Sequence, residues 1–226
     1  MIKCRQWAFL LSAFILASCT TMKLLTSTVK PNEITNLQKF ETLSFITLIE
    51  KGNRGKHNDT LSNKSKELFS GVLDSFENRI HLTGDIYVFD LLTRGKIEKE
   101  IEYLCTTADR QKSISKLKLP RTLDSLLETS QNRFGLITVT TGFTRIRGNY
   151  GKQIAKGIGL GILTLGMVYS SPIKAHSTVY VAIIDSKDNN IAFFRKSFLQ
   201  DKEPLNEVVL RKQVQDIFSG YFWPSN

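Results

Sequence analysis

Hydrophobic side chains cluster in four stretches that have the composition of β-strands. Residues 41–50 (ETLSFITLIE) and 134–144 (FGLITVTTGFT) are rich in Ile, Leu, Val, Phe and Thr, and the second stretch carries no charge. Residues 177–184 and 191–198 have the same character and flank the polar turn DSKDNN, which predicts a β-hairpin. We therefore predict these four strands, with residues 134–144 in the centre of a sheet.

Apolar side chains recur at helical spacing in four further stretches, which predicts amphipathic helices. These helices are predicted at residues 59–80, at residues 96–104, directly after Pro120 and at residues 204–221. Asp59 or Thr60 is expected to cap the first of them. Residues 51–58 predict a polar loop, and residues 81–93 predict a short strand or a loop.

Strands and helices alternate along the chain without internal repeats or a long linker. This order predicts an α/β fold with a mixed β-sheet that is packed by amphipathic helices. We expect a single domain over residues 40–222.

The N-terminal residues have the layout of a secretion signal. Lys3 and Arg5 precede the uncharged run 7–17, which is shorter than the roughly 20 residues of a membrane-spanning helix. The run ends in Leu16-Ala17-Ser18-Cys19, which resembles the lipobox of bacterial lipoproteins. The resemblance implies that residues 1–18 are removed and that Cys19 carries several acyl chains, which anchor a protein stably to a membrane. The alternative is a plain signal peptide in which Cys19 has no role.

The residues after Cys19 indicate the membrane to which such a lipoprotein is sorted. In the lipoprotein-sorting pattern familiar from enterobacteria, an Asp at this point retains the protein at the inner membrane, but here Thr20 and Thr21 follow. The resemblance therefore implies an outer-membrane lipoprotein, and the lack of an acidic cluster favours a domain that faces the periplasm. Residues 19–39 contain Pro31 and show no sustained period, so we predict that they form a tether.

The charge balance limits the partners. Without residues 1–18 the chain has 29 basic and 21 acidic residues, a formal net charge of +8. Nucleic acid is not an expected partner behind a secretion signal, whereas anionic lipid head groups or an acidic protein surface suit the charge. Cys4 is removed with the signal and Cys19 is acylated, so Cys105 has no cysteine with which to form an internal disulfide.

The sequence contains no motif for catalysis or for metal binding. His57, His81 and His176 are far apart along the chain, and HExxH, CxxC and GxSxG do not occur. Cys105 follows a predicted amphipathic helix, where a packing role is more typical than a nucleophilic one. We therefore predict no catalytic residues, no metal and no cofactor, and we expect that the protein is not an enzyme.

Basic residues concentrate in three predicted loops. These residues are Lys51, Arg54 and Lys56 in the first loop, Arg110, Lys112, Lys116, Lys118 and Arg121 in the second, and Arg145, Arg147, Lys152 and Lys156 in the third. If the loops gather on one face they form a cationic docking surface, and if they do not they are solvated charge.

Residues 157–173 (GIGLGILTLGMVYSSPI) form an uncharged run with four glycines, namely Gly157, Gly159, Gly161 and Gly166. A dinucleotide-binding loop would need a further glycine at position 162 or 164, and a P-loop would need Lys followed by Ser or Thr, so phosphate binding is excluded. The 17 residues approach the length of a membrane span, but the glycines dilute their apolarity.

Three interpretations of this run remain. It is a close-packed part of the core, a contact with another protein or a second copy, or a segment that enters the membrane. We expect the first. In the second, Arg145, Arg147 and Lys152 would extend the contact segment.

The overall plan resembles two groups of outer-membrane lipoproteins, the curli-secretion-channel group and the activators of penicillin-binding proteins. The matching parts are Leu16–Cys19, the tether, the strand at 134–144, the hairpin and the C-terminal helix. The resemblance implies a non-enzymatic, membrane-anchored accessory or assembly factor of a cell-envelope complex, which works by contact with a protein partner or further copies. The alternative is an oligomeric export component in which residues 157–173 contact or enter the membrane.

Overall fold

Eight strands form one mixed β-sheet in the described part of the chain. The computed structural model describes residues 20–25, 29–114, 117–164 and 172–224. The strands are β1 (Thr20–Leu25), β2 (Leu37–Phe40), β3 (Leu43–Lys51), β4 (Arg54–His57), β5 (Leu82–Ile86), β6 (Phe134–Arg145), β7 (His176–Asp185) and β8 (Asn190–Gln200). The α-helices are α1 (Asp59–Asp74), α2 (Glu77–Ile80), α3 (Leu91–Arg110), α4 (Arg121–Thr129), α5 (Asn149–Leu163) and α6 (Glu207–Phe218). The predicted α/β class, with one domain and a mixed sheet, is confirmed.

β6 is the central strand, as predicted from its uncharged, β-branched composition. β7 pairs antiparallel with it, β8 pairs antiparallel with β7, and β1 pairs antiparallel with β8. The other side of β6 is shared, because β2 pairs in parallel with its first residues and β3 pairs in parallel with residues 139–145. β5 then pairs in parallel with β2, and β4 pairs antiparallel with β3. The sheet therefore divides into two branches beyond β6.

Helices cover both faces of the sheet and create two hydrophobic clusters. The first cluster lies beneath α1 and α6 and includes Phe69, Leu73, Val181, Phe193, Val214 and Phe218. The second lies beneath α3 and α4 and includes Ile101, Leu104, Leu123, Leu127, Ala182 and Phe194. Neighbouring strand residues such as Val181 and Ala182 enter different clusters because successive side chains in a strand point to opposite faces. Neither cluster contains a described side chain of α5.

Side-chain caps begin three of the helices. Asn58 accepts a hydrogen bond from the Leu61 N–H at the start of α1, one residue before the predicted cap. Asp90 and Asn206 do the same for α3 and α6, accepting from residues three positions further on. These caps satisfy N–H groups that have no partner within the helix.

The segment predicted as a tether belongs to the folded domain. Residues 20–25 form the edge strand β1, and Leu37–Phe40 form β2 between β5 and β6. Ile34 and Leu37 are fully buried. The folded part of the chain therefore includes residues 20–25 and 29–39, which were predicted to belong to the tether. The sequence shows no alternation typical of a strand at β2, because β2 has only four residues and its apolar ends, Leu37 and Phe40, face different clusters.

Two further elements differ from the sequence prediction. Residues 51–58 contain the short strand β4, which folds back on β3 through a turn at Gly52, where φ is +64°. The helix predicted to end near Ile80 is interrupted between Asp74 and Glu77 and forms α1 and α2. The hairpin formed by β7 and β8 is confirmed around its DSKDNN turn.

Candidate contact surfaces

Five elements of the sheet meet at one of its ends. The first residue of β1, Thr20, pairs with Leu199 near the end of β8, and His176 at the start of β7 pairs with Gln200. The end of β6 lies beside the start of β7, and the end of β3 lies beside the end of β6. We call this end, together with the β3–β4 turn and α5, the Thr20 end. Thr20, the first residue of β1 at this end, directly follows Cys19 in the chain.

Arg145 holds the parts of the Thr20 end together. Its guanidinium donates to the carbonyl oxygens of Gly52 at 2.8 Å and Ile173 at 2.9 Å. It also donates to the side-chain oxygens of Asn149 at 2.9 Å and Asn53 at 3.1 Å. One side chain therefore joins the β3–β4 turn, the start of α5 and the chain that leads into β7. Arg145 was predicted as a contact residue, but its hydrogen-bonding groups serve the internal structure.

α5 is attached to the domain through its first turn, and its C-terminal half is exposed. Asn149 is buried and donates to the carbonyl oxygen of Glu50 at 3.2 Å. Ile158 is 49% exposed and Leu163 is 83% exposed, and Leu160 is exposed as well. The expectation that this run is ordinary core is wrong for these side chains. None of the helices in the described part of the chain combines the length and apolarity that a membrane span requires.

The glycines of the run differ in their surroundings. Gly157 is buried, but a methyl group added at Gly159 would meet no atom within 4 Å. A larger side chain therefore fits at position 159, and packing within the described domain does not explain this glycine. Gly161 lies in α5, and Gly166 lies outside the described residues.

The structure brings two of the three basic loops together. Lys51, Arg54 and Lys56 of the β3–β4 hairpin line a surface cavity of about 800 Å³, which Lys156 of α5 also lines. All four are exposed, as are Lys152 in the first turn of α5 and Arg147 just before that helix. Glu50 is the acidic residue in the wall of this cavity.

The remaining basic loop lies at the opposite end of the sheet. Lys118 forms a β-bridge with Asn190, beside the DSKDNN turn. A single cationic face that unites all three loops is therefore not formed. One cluster of basic residues lies at the Thr20 end, and a second cluster lies at the opposite end of the sheet.

A second surface lies where the sheet divides into its two branches. Residues 39–43 between β2 and β3 line a cavity of about 410 Å³, with α1 and α3 on either side. Its charged groups are paired, because Glu41 binds both Lys66 and Arg94, and Lys39 binds Asp74. The cavity therefore offers no free charge to a ligand among these groups.

The loop beside this cavity exposes large apolar side chains. Phe89 is 94% exposed, and Tyr87, Leu91 and Leu92 are each exposed by more than two thirds. We call residues 87–92, the last two of which begin α3, the Tyr87–Leu92 loop. The sequence predicted only a short strand or a loop here, although the string YVFDLL contains five large apolar residues and one cap, Asp90. Exposed apolar groups of this kind typically mark a protein contact.

The candidate chemical residues lie in separate places. His57 lies 3.0 Å from a carboxylate oxygen of Asp59, and Nδ1 of His81 lies 2.7 Å from the carbonyl oxygen of Ile34. His176 packs between Phe143 and Phe198, where burial lowers its pKa. In residues 20–25, 29–114, 117–164 and 172–224, no His, Cys, Asp and Glu side chains form a group that could hold a metal ion.

Cys105 is a packing residue of α3. Its thiol is buried in the second hydrophobic cluster, and burial with the nearby Asp109 carboxylate raises its pKa to about 12. A thiolate is required for nucleophilic reaction, so this environment suppresses that chemistry.

Comparison with known proteins adds distant likenesses only. No protein-family model and no curated protein matches the chain. The fold is similar to a PelC dodecamer from Paraburkholderia phytofirmans, at 7% identity and a TM-score of 0.40, over 91% of this chain and 99% of that chain. It is also similar to a DUF4136 family protein from Bacteroides thetaiotaomicron, at 8% identity and a TM-score of 0.33, over 88% and 92% of the two chains. Likenesses of this size carry no argument about function, and they give no support to the resemblance to the two lipoprotein groups.

Proposed function

We propose that the chain is a lipoprotein, acylated at Cys19 and held at the outer membrane with its domain in the periplasm. There it acts as a non-enzymatic accessory or assembly factor of a cell-envelope complex. The lipobox-like residues Leu16–Cys19 support the anchor. The main support for the accessory role is the Tyr87–Leu92 loop, which exposes four large apolar side chains within six residues.

The proposed anchor and the proposed contact loop lie at opposite edges of the sheet. β1 follows Cys19 directly, so the Thr20 end is the part nearest to the anchor. The Tyr87–Leu92 loop follows β5, at the opposite edge of the sheet from β1. An anchored domain of this shape can present the loop to a neighbouring protein while the anchor keeps it at the membrane.

The second candidate is an oligomeric export component in which residues 157–173 contact or enter the membrane. The exposure of Ile158, Leu160 and Leu163 favours a contact through α5. In this alternative the exposed apolar groups serve assembly with further copies of the chain as well as the membrane.

The experiment follows acylation and contact in the same cells. We expect radiolabelled palmitate to be incorporated by the wild-type protein and not by Cys19→Ala. We expect the wild type to stay with the outer membrane through a high-salt wash that releases Cys19→Ala. A photo-crosslinking amino acid at position 89 should then yield one discrete adduct that mass spectrometry identifies as an envelope protein. The same amino acid at the exposed position 112, at the other end of the sheet, is the matched control.

The outcomes separate the candidates. The same photo-crosslinking amino acid can be placed at position 163 in α5. Adducts between two copies of the chain at that position would favour the oligomeric export component. A wild-type protein that takes up no palmitate would contradict the anchor, and a position 89 that gives no adduct beyond the control would contradict the accessory role.

A further inference from the structure

The Thr20 end has three properties that belong together. It is one residue from the proposed acylation site, it exposes apolar side chains of α5, and it carries exposed cations on both α5 and the β3–β4 hairpin. Resting on the proposed anchor, we infer that the Thr20 end lies directly on an anionic lipid surface. α5 contributes its apolar side chains to the head-group layer, and the lysines and arginine beside it bind lipid phosphates.

The position of β1 brings this end close to the bilayer. Consecutive Cα atoms lie about 3.8 Å apart, so Thr20 is directly beside an acylated Cys19. Residues 20–25 are paired with β8 over their whole length. The described structure therefore has no long tether after the anchor, and the end of the sheet, rather than a distant point on a flexible chain, meets the lipid.

The exposed side chains of α5 suit the boundary between head groups and acyl chains. Ile158, Leu160 and Leu163 are exposed in its C-terminal half, whereas Lys152 and Lys156 are exposed in its N-terminal half. A helix of this kind can rest its apolar C-terminal half in the head-group layer while the lysines of its N-terminal half reach lipid phosphates. This agrees with the length and apolarity of α5, which do not reach those of a membrane span.

The charges of the Thr20 end are complementary to anionic lipid. Lys51, Arg54, Lys56, Lys152 and Lys156 are exposed, and no carboxylate of the described residues forms a salt bridge with them. Glu50 lines the same cavity, but the basic side chains of Lys51, Arg54, Lys56 and Lys156 outnumber it. The net charge there is therefore positive. Each basic residue near an anionic membrane changes binding by about fivefold.

The lipid contact and the anchor are separated across the sheet. β1 and β3 are four strand spacings apart in the order β1, β8, β7, β6 and β3, which is about 19 Å. Two points of attachment at this separation restrict the rotation of the domain about its anchor. The Tyr87–Leu92 loop is thereby kept at a fixed orientation toward its partner.

The test uses the mature chain with Cys19→Ala, which removes the acyl chains and isolates the contribution of the protein surface. Co-sedimentation with vesicles of phosphatidylcholine and phosphatidylglycerol should show binding that weakens as salt is added, and vesicles of phosphatidylcholine alone should bind much less. Replacing Lys51, Arg54 and Lys56 by Gln should lower the partition coefficient by about a hundredfold. Replacing Lys112, Lys118 and Arg121 by Gln removes the same charge at the opposite end and should leave the partition coefficient nearly unchanged.

A second pair of variants tests the apolar contribution. Ile158→Ser with Leu163→Ser should weaken vesicle binding, whereas Leu91→Ser with Leu92→Ser should not. All of these positions are exposed, so circular dichroism should show that each variant is folded. Equal losses for both charge variants, or a larger loss for the Leu91 and Leu92 variant, would overturn the inference. A protein that takes up palmitate at Cys19 but whose unacylated form ignores anionic vesicles would overturn it while leaving the proposed anchor intact.

Discussion

α5 and α6 are helices of similar length whose apolar residues have opposite fates. α6 buries Leu210, Val214, Ile217 and Phe218 completely against the sheet and α1. α5 leaves Ile158, Leu160 and Leu163 in solvent and is attached through Asn149, Arg145 and the β3–β4 turn. The comparison shows that apolar composition does not decide burial. What decides it is whether the preceding segment directs the helix across a sheet face or beyond the end of the sheet.

The approach to each helix explains the difference. α6 follows the chain that leaves β8 and turns back over β7 and β8, where Gln213 donates to the carbonyl oxygens of Ser177 and Ser197. α5 follows the end of β6 after only three residues, and its first turn is tied to the end of β3. Beyond this attachment, the described side chains of Ile158, Leu160 and Leu163 remain exposed.

The strongest test of this comparison removes one apolar side chain from each helix. Phe218→Ala should lower the free energy of unfolding by about 3–5 kcal/mol, because it deletes a fully buried ring and leaves a cavity. Leu163→Ala should change it by less than about 0.5 kcal/mol, because the side chain is largely exposed. Urea unfolding monitored by circular dichroism measures both. A large loss for Leu163→Ala would show that α5 is packed in solution.

A smaller effect is expected from a glycine beneath the start of α6. A methyl group at Gly142 would overlap the carbonyl oxygen of His176 and would lie 3.0 Å from Cβ of Pro204. Gly142→Ala should therefore lower the free energy of unfolding by about 1–3 kcal/mol, since the backbone of β7 must shift. The same urea titration measures it. An unchanged midpoint would mean that the approach of Pro204 to β6 is looser than the structure shows.

The smallest effect has the opposite sign and lies in α5. Gly159→Ala adds a methyl group where no atom lies within 4 Å, and alanine favours the helix. We expect the free energy of unfolding to rise by about 0.5–1 kcal/mol if α5 unfolds with the domain. Thermal unfolding with and without anionic vesicles is the measurement. Destabilisation in the absence of lipid would indicate that Gly159 packs closely against another part of the chain or a second copy.

The candidate surfaces were predictable only in part. The basic loops at residues 51–56 and 145–156 were visible as charge clusters, but their union required the parallel pairing of β3 with β6. Arg145 was grouped with the contact residues because its charge is visible in the sequence while its four acceptors are not. Those acceptors lie on Gly52, Asn53, Asn149 and Ile173 and come together only in the folded domain.

The sequence by itself determined the elements whose information is local. The central strand, the β7–β8 hairpin and the amphipathic helices follow from periodicity within each segment, and the lipobox-like N-terminus follows from four adjacent residues. Only the tertiary structure decided that residues 20–40 contribute two strands, because β1 and β2 depend on partners more than 40 residues away. It also decided that α5 is exposed. The burial of a helix depends on the surface that it meets, and that surface is formed by strands distant in the chain.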